Sequence, residues 1–361
     1  MKTLIVILGF VFVSPTSKAE QKCNDVAFAV ENVRIDEIAE TGTRAREIGL
    51  SKSTNNAFNR ILTRLLVSED DVSALLLNAE SQDYLSYFYI HNEKTLARGY
   101  LGDIDFCFDA TEMRRLFRKN ALAWAELVSP PILTMPIWRE ASGAVVWNKN
   151  NNWLSSWNEH SKTYDGLLSF VSIEPNIKIQ RQLREEAIFD ADPEVLKIAI
   201  EAVGASQLLT VSAEIDHYAT IPVLRFSSRL FDENARPIAT LIEENHELNG
   251  TKNIAFLFEE FQYGLISELE KFWKQQNQIS PKTDFPIIAN VSVFSLSKWR
   301  SLQETLSAMP IVRQVDPISL SKSIGLIRVT IAGSISQFAA NLNTVGYTLT
   351  EKDNEIYLSE K

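Results

Sequence analysis

The pattern of apolar and polar positions divides the chain into three segments, the first of which alternates between strand and helix periods. Its predicted elements follow the order βαββαβ and span residues 26–35, 44–66, 84–90, 96–108, 109–118 and 131–138. The first helix places its apolar side chains on one face: Ala57, Phe58, Ile61, Leu62 and Leu65. The second helix begins with a capping pattern, Asp109 followed by Glu112.

The last segment, residues 286–361, repeats this order more compactly. Its predicted elements span residues 287–294, 297–308, 311–318, 325–331 and 334–343, followed by a hairpin of 347–350 and 355–358. Two βαββαβ units indicate two ferredoxin-like sandwiches, in which helices cover one face of an antiparallel sheet.

The middle segment, residues 144–278, has a different pattern. A tryptophan-rich helix with Trp147, Trp153 and Trp157 comes first, and the elements after it span residues 167–173, 179–189, 193–203, 208–217, 223–231 and 237–248. A long final helix has one apolar stripe: Phe258, Phe261, Leu265, Leu269 and Phe272. The first two strands of the predicted antiparallel meander alternate between apolar and polar side chains. This alternation places Ile215 opposite Leu224 and Ala213 opposite Phe226, with one face buried and the other exposed to solvent.

These patterns predict an α+β or α/β multidomain protein. Two ferredoxin-like βαββαβ units flank a middle α/β domain that contains a three-stranded antiparallel meander. The predicted divisions are a signal peptide at 1–19, domains at 20–140, 144–278 and 286–361, and a linker rich in glutamine at 275–286.

The amino terminus has the three parts of a secretory signal peptide. Lys2 supplies the positive charge, residues 4–13 form an apolar run too short to span a bilayer, and small residues flank Lys18. We therefore expect cleavage after Ala19 and a periplasmic location. An uncleaved anchor is the alternative, and it requires a longer apolar run. No later apolar run is long enough to predict a membrane span in the mature chain.

Composition narrows the function classes. The chain is 45% hydrophobic, which is enough to form packed cores and excludes general disorder. Its net charge of -10 and the lack of a basic cluster argue against nucleic acid as a partner, because phosphate neutralisation requires a basic surface.

Two cysteines, Cys23 and Cys107, are present in the predicted mature chain. In a ferredoxin-like sheet the first and third strands are antiparallel neighbours. Cys23 precedes the first strand and Cys107 ends the third, so the topology brings them together. In an oxidising compartment this arrangement predicts a disulfide, and two unpaired thiols are the alternative.

Candidate catalytic chemistry is sparse. Asp103 and Asp105 suggest a metal site, but alternation along a strand puts both on a solvated face, and Asp109 is better explained as a helix cap. The four histidines do not fall in a metal-ligand spacing, and no phosphate-binding loop or nucleophile elbow occurs. We predict no catalytic, cofactor-binding or metal-binding residues.

Trp153 and Trp157 lie one helical turn apart. They could form an exposed ledge that binds a sugar or a protein partner. The alternative, which the area of two indole rings favours, is that they pack in a core or at an interdomain joint.

The chain resembles a family of exported proteobacterial proteins catalogued as domain of unknown function 2066. The resemblance covers most of the predicted mature chain and rests on these residues: Ala57, Arg64, Leu65, Tyr84, Phe88, Tyr89, Phe106, Asp109, Leu116, Trp124, Pro130, Pro131, Trp138, Trp299, Leu306, Val312, Gly333 and Ser334. Residues 66–68 depart from the polar, glycine-containing turn of the family. The resemblance implies an envelope location and supplies no catalytic residues.

A non-catalytic binding or scaffold module of the cell envelope is the function that these features favour. The candidate partner surfaces are the exposed edge of the C-terminal sheet and the pair Trp153 and Trp157, and the partner is an envelope protein whose identity the sequence does not give. The alternatives are a periplasmic hydrolase with a carboxylate site outside any known motif, and a structural spacer.

Overall fold

The computed structural model describes residues 23, 25–148, 150–217, 219–249, 253–292, 295–321 and 323–361. The predicted signal peptide, residues 1–19, lies outside the described residues. The described part is a mixed α+β protein with three β-sheets. None of its helices is long and apolar enough to cross a membrane.

The first sheet has the order β1–β3–β2, and both neighbouring pairs are antiparallel. Its elements are β1 (Ala29–Ile38), α1 (Gly42–Leu65), α2 (Glu69–Asn78), β2 (Leu85–Thr95), β3 (Gly99–Phe108) and α3 (Ala110–Lys119). The predicted apolar stripe of α1 is confirmed, because its five side chains are at most 1% exposed. Asp109 caps α3 as predicted, since its carboxylate accepts from the N–H groups of Thr111 and Glu112.

The interpretation of residues 131–138 as the last strand of the first unit is wrong. The strand, β4 (Pro131–Glu140), belongs to the second sheet instead. Its side chains are apolar on both faces: Ile132 packs into one core, whereas Leu133 and Met135 pack into another. A strand of this kind requires a sheet covered on both faces. One face of the first sheet is not covered, since Asp103 and Asp105 of β3 are half-exposed on it. If β4 joined that sheet, the apolar side chains on one of its faces would be exposed to solvent.

The second sheet has the order β5–β4–β7–β8–β9, and β6 also pairs with β4. Its further elements are β5 (Gly143–Val145), α4 (Asn152–Thr163), β6 (Ser169–Val171), α5 (Ile177–Gln182), α6 (Glu185–Phe189), α7 (Pro193–Val203), β7 (Gln207–Asp216), β8 (Val223–Asp232), β9 (Pro237–Glu247) and α8 (Ile254–Asn277). The predicted register is confirmed: Ile215 lies opposite Leu224, and Ala213 opposite Phe226.

Helices cover both faces of this sheet. One core lies under α4 and α8, and the other lies under α6 and α7. The sequence predicts that the second face of β7 is exposed to solvent along its whole length. This is wrong at the start of β7, where Leu208 and Thr210 are buried beside α7. Farther along β7 that face opens to solvent, and Arg225 forms its ion pair with Asp216, at 2.6 Å.

The third sheet has the order β11–β12–β10–β14–β13. Its elements are β10 (Phe285–Ser292), α9 (Leu296–Ala308), β11 (Val312–Leu320), β12 (Ile324–Ile331), α10 (Ile335–Thr344), β13 (Tyr347–Lys352) and β14 (Glu355–Glu360). The second strand of the final hairpin, β14, lies beside β10 and is parallel to it. This departs from the all-antiparallel sandwich that the sequence predicts. The buried Leu358 of β14, 1% exposed, supplies the core contact at that position.

Buried residues of the first and third sheets form one continuous core. Trp124, which is fully buried, forms backbone bridges to Leu66 after α1 and to Ile279 before β10. The connection that follows α3 therefore joins the two units through main-chain hydrogen bonds as well as apolar contacts.

Candidate functional site

Cys23 and Cys107 form a disulfide with a Cα–Cα distance of 5.5 Å, as predicted. The pairing of β1 with β3 explains it. Ala29, at the start of β1, lies opposite Cys107 near the end of β3, so the chain before β1 reaches this end of β3. The bond links residues 84 positions apart and closes a loop around the whole first sheet.

Asp103 and Asp105 lie on the half-exposed face of β3, as the alternation predicts. The Asp105 carboxylate lies 2.6 Å from Nε2 of His91 and accepts from the N–H of Asn32, at 2.8 Å. Asn32 has a positive φ of 56° in the bulge of β1. Asp105 therefore stabilises this bulge. In the described residues, no three His, Cys, Asp or Glu side chains are grouped to hold a metal ion.

Trp153 and Trp157 do not form an exposed ledge. Trp153 is 0% exposed and Trp157 is 3% exposed, because this face of α4 packs against the second sheet. The Trp153 ring contacts Phe226 and Phe258, and its indole N–H donates to the carbonyl of Val211 at 3.3 Å. The expectation that the two rings form an exposed ledge is wrong, because both pack in the core of the second sheet, and Trp157 also lines the cleft described below.

An interruption in the second sheet is a feature that sequence patterns did not predict. Along one edge, β4 pairs with β7 from Ile132 to Arg139. Along the other edge, β6 pairs with residues 131–133 and β5 pairs with residues 138–140. Among the described residues, 134–137 have no strand neighbour on that second edge. Pro136, which has no N–H to donate, lies in this gap.

A cleft of about 440 Å³ opens beside the gap. Its walls come from β4, from the segment after β5, from α4 and from the residues that follow β6. Trp147, Trp157 and Phe170 supply aromatic rings, while amide and hydroxyl groups of other side chains supply polar contacts. Glu174 is the one titratable side chain among the lining residues. Since no Lys, Arg or His lines the cleft, it lacks the cation that binds phosphate or carboxylate groups.

Three buried polar atoms around the cleft have no hydrogen-bond partner within the described part of the chain. They are Oγ1 of Thr134, Nε1 of Trp147 and Nε1 of Trp157. Five such side-chain atoms occur in the described residues, and these three belong to lining residues of the same cleft. Leaving a buried donor unsatisfied costs about 1–3 kcal/mol, so such groups are rare in native proteins. Because these three atoms are covered, they can donate hydrogen bonds to an acceptor oxygen in the cleft only after a side chain moves.

The sequence contained only a partial signal for this site. The sequence predicts that Trp147 and Trp153 share one helix, but α4 begins at Asn152, and Trp147 lies in the segment after β5. Thr134 is one of the few polar residues in an apolar run with three prolines. A proline has no N–H to donate, but only the sheet order shows which edge of β4 is interrupted.

A buried polar joint connects the first helix with α8. The guanidinium of Arg64 donates to the carbonyls of Ala27 and Ala29, at 3.1 and 2.5 Å, and it also pairs with Asp165. Burial lowers the pKa of Arg64 despite the nearby carboxylate. Lys274 of α8 donates to the carbonyl of Thr63 at 2.6 Å, and burial lowers its pKa as well. The Lys274 contact joins α1 to α8, and the Arg64 contacts join α1 to the start of β1 and to the residues after α4.

The comparisons with known proteins place limited constraints on the chain. No family model matches it, and no curated protein matches it. The resemblance to domain of unknown function 2066 stays a prediction.

Three solved structures are similar over part of the chain. A hypothetical protein of Chlamydia trachomatis is 10% identical, covers 40% of this chain and 96% of its own, and has a TM-score of 0.27. Lipoprotein GNA1162 of Neisseria meningitidis is 13% identical with coverages of 39% and 96% and a TM-score of 0.25. The LpoB C-terminal domain of Salmonella enterica is 15% identical with coverages of 34% and 84% and a TM-score of 0.24. TM-scores at this level do not establish a common fold.

Proposed function

We propose that this chain is a non-catalytic binding protein of the bacterial periplasm and that its binding site is the cleft beside β4. The observation that supports the proposal most directly is the grouping of three unpartnered buried polar atoms, on Thr134, Trp147 and Trp157, around one open cleft. Hydrogen-bond acceptors of a bound molecule would satisfy these groups once a side chain moves to uncover them.

The periplasmic part of the proposal rests on two independent features. The disulfide between Cys23 and Cys107 is of the kind that forms and persists in oxidising compartments. The predicted cleavage after Ala19 would deliver the chain to such a compartment. The resemblance to an exported family is in agreement with both.

The non-catalytic part rests on the chemistry of the lining. General acid–base catalysis requires titratable groups that converge on one reacting atom. Glu174 is exposed and has no titratable companion among the lining residues of the cleft. The other candidate carboxylates, Asp103 and Asp105, hydrogen-bond with Asn92 and His91 on the first sheet. A hydrolase is therefore less well supported than a binding protein.

The exposed edge of the C-terminal sheet is a weaker candidate surface. β11 and β13 each pair with a single strand among the described residues, so each has one free edge. Pro317 removes one donor from β11, and β13 is exposed at its end. Both features are typical of edges that avoid strand addition. No unpartnered buried side-chain donor belongs to either strand.

Site-specific photocrosslinking in intact cells tests the proposal. Ser161 of α4 lines the cleft, whereas Ser155 of the same helix is exposed elsewhere. They are matched, since each hydroxyl donates to the carbonyl three residues earlier. We expect a photoreactive residue at 161 to give a crosslinked product that a residue at 155 does not give, with Glu20 as the mature amino terminus. Equal crosslinking at both positions, or a retained Met1, would contradict the proposal.

A further inference from the structure

We infer that the cleft binds an extended, uncharged peptide segment of a partner protein, which adds a short strand along residues 134–137. This inference rests on the proposed function and specifies its ligand. Strand addition is a common way for a sheet edge to bind a peptide, because main-chain hydrogen bonds supply the contact whatever the side chains are.

The gap has the dimensions of a short strand. It covers residues 134–137 of β4, which at ~3.3 Å per residue corresponds to about 13 Å. The strands on either side, β5 and β6, contain three residues each. A peptide of three or four residues would complete the edge between them. Pro136 can accept a hydrogen bond there but cannot donate one.

The unpartnered groups fit peptide carbonyls. An indole N–H is a donor only, and a threonine hydroxyl can also donate. The atoms on Trp147, Trp157 and Thr134 are covered in the free chain, so a carbonyl oxygen reaches them after a side chain turns. The half-buried Trp147, in the segment between β5 and α4, is the ring with the most room to move.

The lining also selects against other ligands. No basic side chain lines the cleft, so an anionic ligand would have no charge partner, and Glu174 would repel it. The half-buried ring of Phe170 provides an apolar surface for a side chain of the added strand. A neutral saccharide could use the same donors, but it would leave the edge of β4 unpaired. The strand gap is the observation that favours a peptide.

Selection from a displayed library of random short peptides tests this inference. The full chain is the target, and Ser161→Arg, which places a long charged side chain in the cleft, is used for counter-selection. Ser155→Arg is the matched control on the exposed side of α4. We expect enriched, mostly uncharged peptides whose affinity falls roughly tenfold or more with Ser161→Arg and is unchanged with Ser155→Arg. Equal enrichment on the full chain and on Ser161→Arg would overturn the inference.

Methylation of single amides in the enriched peptides separates strand addition from other binding modes. Each ladder hydrogen bond lost should weaken binding roughly fivefold, and sensitivity should recur at every second residue. In 15N-resolved spectra, the indole signals of Trp147 and Trp157, assigned from their Trp→Phe variants, should move on binding. The signal of Trp299, in the third sheet, should not. Binding that tolerates methylation at every position would refute strand addition.

A trimer of N-acetylglucosamine is the saccharide probe. If it moves the two indole signals and no peptide does, the peptide inference fails while the proposed binding function stands. If neither probe moves them and no crosslink forms at position 161 in cells, the proposed function fails too.

Discussion

Replacing Glu126 by Gln should stabilise the protein at high pH and have little effect at low pH. The Glu126 side chain is 6% exposed, and its carboxylate lies 2.9 Å from Nε of Arg114. Burial raises the pKa of Glu126 from 4.5 to about 7, against the opposing effect of Arg114. Arg114 also pairs with Asp25 at 2.8 Å, so it keeps a charged partner in the variant.

The magnitude follows from the difference between folded and unfolded pKa values. Because the folded pKa of Glu126 is higher, the folded state binds this proton more tightly. The contribution of protonated Glu126 to the free energy of unfolding is therefore fully present below pH 4.5. This contribution is lost as the pH rises through about 7. Each unit of difference between the folded and unfolded pKa values corresponds to 1.36 kcal/mol, so the loss in unfolding free energy is about 3 kcal/mol. Glutamine stays neutral, so Glu126→Gln should avoid this loss.

Denaturant unfolding of the two proteins at pH 5, 6.5 and 8 measures the effect. We expect the advantage of Glu126→Gln in unfolding free energy to grow from about 1 kcal/mol at pH 5 to about 3 kcal/mol at pH 8. Glu47→Gln is the control, because Glu47 is exposed and pairs with Arg44 on the surface. Its effect should be small at each pH. A Glu126→Gln variant no more stable than the parent at pH 8 would refute the reasoning.

Three further changes test other parts of the structure. Replacing Cys23 and Cys107 by Ser should lower the unfolding free energy by up to about 4 kcal/mol, and dithiothreitol should destabilise only the parent protein. Arg64→Met leaves two buried carbonyls without their donor and should cost about 2–4 kcal/mol, seen as a lower melting temperature. In Gly325→Ala the new Cβ would lie 2.4 Å from the ring of Trp299, so we expect a loss of about 1–3 kcal/mol in chemical denaturation. Trp299→Leu in the same chain should recover part of that loss, and no recovery would count against a steric cause.

The sequence predicted features that depend on local periodicity. The alternation around Ala213 and Ile215 was sufficient to predict the β7–β8 register, because a shift by one residue would exchange the buried and exposed faces. The stripe of α1 and the Asp109 cap follow from the same kind of pattern. The disulfide was predictable because strand order alone places Cys23 near Cys107.

The candidate site was not predictable in this way. Periodicity shows that residues 131–138 are extended, but it does not show which sheet they join. Trp153 and Trp157 carry the same helical spacing whether their face of α4 meets water or the second sheet. The gap beside Pro136 exists only because β5 and β6 share one edge of β4, and this is a relation between segments distant in sequence.

By itself, therefore, the sequence predicted most of the strands and helices, the apolar stripe of α1 and the pairing of Cys23 with Cys107, but it did not predict α2 or β5. Tertiary structure decided the sheet that β4 joins, the burial of Trp153 and Trp157, and the place of β14 beside β10. The physical reason is that a side-chain period of two or 3.6 residues encodes a buried face but not the surface that buries it. The surface against which β4 packs depends on which sheet is covered by helices on both faces, and this is known only once the whole chain is packed.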